Sequence, residues 1–189
     1  MSAHVQTLGK PGFRWWRAAM WGAAAALLSI PAIAMQFTSE VDWSGSDFIV
    51  MGIMLGTAFG TFDLASRVSG SIPYRAAVGL AVIASFLLVW FNLAVGIIGS
   101  EANPANLMFG VVLIIALAGS ILARFEASGM SRTMIVAAAV QAGIGVVALI
   151  GNMGAGKPSW PADIIVLTLM FTGMWLVSAW LFRLSAKTA

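Results

Sequence analysis

Few side chains in this chain can do chemistry, and they fall in separate places. The first is the run Trp90-Phe91-Asn92-Leu93-Ala94-Val95-Gly96-Ile97-Ile98-Gly99-Ser100-Glu101-Ala102-Asn103-Pro104-Ala105-Asn106. There Glu101 stands near a helix start, with Asn92 and Asn106 as amide donors and acceptors, a set suited to a small polar pocket. The second is Asp63, an acid inside an apolar segment; such an acid is by default a proton or cation site. The third is Gln141, with Thr168, Thr172 and Ser178 on the next segment. These could line a path for a polar solute or join helices by hydrogen bonds. The last is Gly151-Asn152-Met153-Gly154-Ala155-Gly156-Lys157, which matches the opening of a phosphate-binding loop. Pro158 follows where that motif needs Ser or Thr to reach magnesium, so the match reads as a flexible glycine turn.

Other chemistry is excluded by composition. There are no cysteines, and the only histidine is His4. Thiolate nucleophiles, sulfur metal sites and haem held by paired intramembrane histidines are therefore ruled out. No Ser with His, paired deep acids or metal-ligand set converges, so an enzyme is not expected. Nor is a cofactor or a catalytic residue. The charge of +3 lies on single basic residues at segment ends. Nucleic-acid binding needs a clustered basic face and is not expected either.

The elements that must position these residues are membrane helices. Hydrophobic residues make up 60% of the chain and charged residues 9%, and mean hydropathy is +0.96. A soluble domain carries about 25% charged residues. Six apolar segments, about 14–36, 48–66, 74–99, 105–124, 132–153 and 161–183, approach or exceed the length that spans a bilayer. Each of the last five has starting signals: Ser46 and Asp47, Ser71 and Pro73, Asn103 and Pro104, Ser131, then Ser159, Pro161 and Asp163. The fold class expected is all-α, a single polytopic transmembrane bundle over residues 1–189.

Basic residues set the orientation. All but one of the ten lysines and arginines fall on one side when loops alternate: Lys10, Arg14, Arg17, Arg67, Arg75, Arg124, Arg132, Arg183 and Lys187, against Lys157. That bias places both termini in the cytoplasm. Trp15, Trp16, Tyr74 and Trp180 then fall at the inner interface, and Trp43, Trp90 and Trp160 at the outer one. The first segment has a rival reading as a signal peptide, with Ala32-Ile33-Ala34 as its cleavage site. Its length favours a retained helix, kinked at Pro31. Segments two and three also resemble four and five faintly, as a parallel repeat with Arg75 and Arg132 in matching places.

Gly52, Gly56 and Gly60 form a continuous small-residue face on the second segment, flanked by Thr57 and Thr61. Such a face lets another backbone approach closely. Packing inside the chain is expected, with Gly22 and Ala26, or Gly143 and Gly145, as opposing surfaces. Asp63 lies one turn before Arg67, so an interfacial salt bridge to it is the plain expectation. In the central run, capping accounts for Asn103 and Pro104 but not for Asn92, which lies too far inside its helix.

The run from Asn92 to Asn106 resembles a motif of small multi-pass inner-membrane proteins of proteobacteria whose activity is uncharacterised. The resemblance implies a bacterial inner membrane and six helices, and it brings no activity, ligand or catalytic residue. The expected function is an accessory, scaffold or assembly component acting through helix packing, with the lipid bilayer, other membrane subunits or a second copy as partners. The alternative is a small transporter or channel using Asp63, Gln141, Asn92 or Glu101.

Overall fold

The computed structural model describes residues 12–188. Expectations that rest on His4 and Lys10, and on the side chains of Arg14 and Trp16, lie outside what it describes. Among the described residues there are six α-helices and no strands: α1 (Gly12–Ala34), α2 (Gly45–Val68), α3 (Ile72–Ala94), α4 (Phe109–Leu122), α5 (Ala127–Ile150) and α6 (Ala162–Thr188). A 3-10 turn, Pro104–Met108, leads into α4. Six segments are long and apolar enough to cross a membrane, the pattern of a multi-pass membrane protein. Alone, α4 rises about 21 Å; the 3-10 turn adds about 10 Å, which brings the fourth segment to spanning length.

Two compact units divide the chain, Met1–Asp63 and Leu64–Ala189. In the first, α2 starts with a capping exchange. The Ser44 N–H donates to Asp47 Oδ2 at 2.7 Å, and the Asp47 N–H reaches back to Ser44 Oγ at 3.4 Å. The cap is thus Ser44 rather than Ser46, because the partner of the acid stands three residues before it. Arg17 of α1 donates to Asp63 of α2 across the pair at 2.8 Å. Leu28 lies 3.8 Å from where a Cβ on Gly52 would stand.

In the second unit α6 packs against both α3 and α5, and α4 packs against α5. The contacts run antiparallel. On the α3 side Tyr74 meets Phe182 edge-on, Phe91 meets Phe171, and Ser178 Oγ donates to the Ala77 carbonyl at 2.9 Å. On the α5 side Ser131 Oγ donates to the Ala179 carbonyl at 2.8 Å, and Gly145 faces Thr168 with no room for a Cβ. Gly119 of α4 faces Thr133 of α5 in the same way. Lipid tails are as apolar as leucine, so helices in a membrane associate through such close contacts and hydroxyl bonds. Large apolar side chains accordingly point outward, among them Ile114, Leu117, Leu122, Val166 and Leu169.

Several boundaries differ from those the sequence suggests, for identifiable reasons. Ser131 does not start α5. The helix begins a turn earlier, at Ala127 with Glu126 as its cap, and the Ser131 hydroxyl is spent on α6. Tyr74, at the start of α3, is packed inside the protein: it is 2% exposed, and its hydroxyl donates to the Phe125 carbonyl at 2.7 Å. The suggested repeat finds no echo in its marker arginines. Arg75 donates to the Ser69 and Ser66 carbonyls, whereas Arg132 lines a pocket with α6 residues. The largest departure is in α3, which stops at Ala94 rather than continuing to residue 99.

Candidate functional site

The early end of α3 creates the most unusual feature of the second unit. After Ala94 the chain turns at Gly96, whose φ of +69° belongs to the left-handed region. A Cβ there would strike the Ser100 backbone, so only glycine fits. Ile97 and Ile98 then drop into the core, both fully buried, although neither is in a helix. Their backbone N–H groups need acceptors, since an unpaired buried amide costs as much as a lost hydrogen bond.

Asn106 supplies them. Its Oδ1 accepts from Ile97 N at 3.1 Å and Ile98 N at 2.8 Å. Its Nδ2 donates to the Ser100 carbonyl at 2.7 Å and the Ile98 carbonyl at 3.3 Å. The amide is buried, and both ends are satisfied by backbone. Asn103 caps the following turn, accepting from Ala105 N at 3.0 Å with Pro104 next to it. The asparagine pair therefore holds the 95–103 loop in shape, and the Asn106 amide is spent on backbone at both ends.

A second loop meets this one. Gly154, also with positive φ, lies so close to Gly99 that a Cβ on it would stand 2.9 Å from the Gly99 Cα. This is the glycine turn with the phosphate-loop spacing. It follows a helix rather than a strand, and Gly154 serves the close approach of two backbones. Between the loops lies an open groove of about 610 Å³, lined by Val95, Ser100, Glu101, Gly156, Lys157 and Pro158 among others. Glu101 is exposed on it. Lys157 pairs with Asp163 at 3.5 Å, and Asp163 also accepts from Ser159 Oγ at 2.8 Å.

The remaining candidates stand apart from this groove. Asn92 donates back along α3 to the Leu88 carbonyl at 2.6 Å, and its Oδ1 is buried without a protein partner. Asp63 lies in the first unit, bound to Arg17 on α1; this cross-helix pairing is the one that spacing along a single helix did not suggest. Gln141 is fully buried on α5, roughly 13 Å from that helix's Ile150 end. Neither of its amide atoms has a hydrogen-bond partner in the protein. Thr168 Oγ1, Thr172 Oγ1 and Trp175 Nε1 are buried and unpartnered too. At i, i+4 and i+7 these three share one face of α6. Gly145 meets Thr168, so Gln141, one turn deeper on an antiparallel helix, stands level with Thr172.

Two of the three glycines of the stripe are not covered within their own unit. A Cβ on Gly56 or Gly60 would meet nothing within 4 Å, and Thr57 and Thr61 beside them are exposed. Of the surfaces expected to oppose the stripe, Gly22 and Gly143 likewise meet nothing, and Gly145 is taken by Thr168. Among the described residues, no three His, Cys, Asp or Glu side chains come together where a metal ion could sit.

Sequence reasoning located the central run but misassigned its parts. It treated residues 95–99 as helix because they are apolar, and the signals against that were Gly96 and Gly99. Arg17 was legible as a topology marker only. Compared with models of protein families, with curated proteins and with solved structures, the chain matches none.

Proposed function

We propose that this chain is a non-catalytic accessory or assembly component of a bacterial inner membrane, engaging another membrane helix through the glycine face of α2. The observation that carries this reading is the contrast between the glycines of the two units. In the second unit, Gly119 and Gly145 are each filled by a threonine of a neighbouring helix. On α2, Gly56 and Gly60 have no such neighbour in their unit. Small-residue faces stabilise helix association by letting backbones approach, and here the face is built but unmatched by α1. The second copy or partner subunit that fills it brings its own small or flat helix surface. The bacterial location rests on the resemblance of the Asn92–Asn106 run, and the inside placement of both termini rests on the basic residues.

The test is affinity purification of the tagged chain from its native membrane. A protein, or a second tagged copy, should remain bound to the parent chain and be lost from the Gly56→Leu, Gly60→Leu variant. Retention by that variant, with the same yield of folded protein, contradicts the reading.

A second reading, a channel for small neutral solutes, is favoured by the unpartnered polar face of Gln141, Thr168 and Thr172. Such groups, each costly to bury dry, are those a passing hydrogen-bonding solute would satisfy. Liposome flux of water and small amides that falls in Gln141→Leu supports it. Unchanged passive leak in proteoliposomes of the parent chain removes it.

A further inference from the structure

At the end of the second unit opposite the two loops, a pocket of about 350 Å³ opens between the start of α5 and the end of α6. It is lined by Ser128, Ser131, Arg132 and Ile135 from α5 and by Arg183, Ala186 and Lys187 from α6. The α5 residues are spaced i, i+3, i+4 and i+7, and the α6 residues i, i+3 and i+4, so each set is one helix face. Three cations thus surround one cavity with no acid in its lining. Among the described residues, none of the three is engaged in an ion pair or side-chain hydrogen bond. Glu126, the nearest acid in sequence, is exposed and makes no side-chain cap on α5. The first turn of α5 also holds no acid, so the positive end of that helix is not offset from within.

The cavity has a direction. Its cationic rim lies at the helix ends, where lipid headgroups sit. Ile135, exposed and about 12 Å along α5 from Ala127, continues it toward the depth of the acyl chains. A free phosphate would use only the rim; a phospholipid uses both parts. We infer that this pocket is a binding site for the phosphate headgroup of an anionic phospholipid, held by Arg132, Arg183 and Lys187 with one acyl chain along Ile135. Basic pockets between membrane helices bind lipid headgroups in this manner. Arginine suits the task because its planar fork matches two phosphate oxygens at once. The inference rests on the membrane reading alone and is independent of what fills the α2 face.

The experiment titrates short-chain phosphatidylglycerol into the full-length chain in neutral detergent micelles and reads the shift in thermal unfolding. Parallel arms use matched phosphatidylcholine and inorganic phosphate. Phosphatidylglycerol should stabilise the parent chain, and the other two should not. Arg132→Gln and Arg183→Gln should each weaken the apparent affinity about five-fold. Arg124→Gln, an exposed cation outside the pocket, should leave it unchanged. Should either arginine variant fail to fold without lipid, Lys187→Gln in the last turn of α6 gives the same readout. Equal stabilisation by inorganic phosphate would make this a free-anion site and overturn the lipid assignment. Equal loss in Arg124→Gln would reduce it to diffuse surface charge, and equal binding of both lipids would remove it.

Discussion

Asn106 shows how much one amide can determine. It gathers two backbone N–H groups and two carbonyls from a loop whose isoleucines are buried. Replacing it with alanine leaves those groups without partners in an apolar setting. Asn106→Ala should destabilise the second unit by about 2–4 kcal/mol, because each buried group left unpaired costs roughly 1–3 kcal/mol. Asn106→Asp keeps the acceptor and loses the donor, and should fall between. Thermal unfolding followed by tryptophan fluorescence measures both; an Asn106→Ala variant as stable as the parent would show that the loop does not depend on the amide. At this scale the sequence was legible in part. Asn103 and Pro104 announce a cap by their order alone. Asn106 does not, because its partners are the backbones of residues 97, 98 and 100, and nothing in their side chains signals an unpaired amide.

The helices were legible as elements because spanning a bilayer demands long apolar runs, and such runs read plainly. Their ends were less so. An apolar pentapeptide, Val95 to Gly99, looks like helix by hydropathy, and only two glycines with positive φ reveal the turn. Pairings between helices were the least legible. Asp63 has a cation at i+4 on its own helix, and Arg17 reaches it from α1. The carboxylate is 9% exposed and the guanidinium 40%, so the two ends of this bridge are not equivalent. Losing the arginine takes a cation away from a largely buried carboxylate, whereas losing the acid leaves a cation that can turn to water. Arg17→Leu should therefore destabilise the α1–α2 pair by about 1–3 kcal/mol, and Asp63→Asn by less. The double variant should recover part of the Arg17→Leu loss. A larger effect of Asp63→Asn in the same unfolding assay would mean the acid does more than hold α1.

For the whole molecule, composition and charge placement carry the account. Six helices long and apolar enough to span, with basic residues gathered on alternate connections, support the proposal that both termini lie on one side. A reporter after Ala189 and another inserted near Ser44 should report opposite sides, and agreement between them would contradict the topology. The partner was not legible in the sequence. The stripe Gly52, Gly56 and Gly60 was plain, but what faces it depends on how α1 packs, and α1 offers Leu28 over Gly52 and nothing over the other two. That unmatched face is the centre of the account, and the absence of cysteine makes it directly testable. A single cysteine at Gly56, placed in the otherwise thiol-free chain and oxidised in native membranes, should form a disulfide-linked dimer, or a thiol adduct with a partner subunit, at higher yield than a cysteine at the exposed Val50, roughly 120° round the helix from Gly56. Equal, background-level crosslinking at both positions would contradict the proposal that α2 docks another helix.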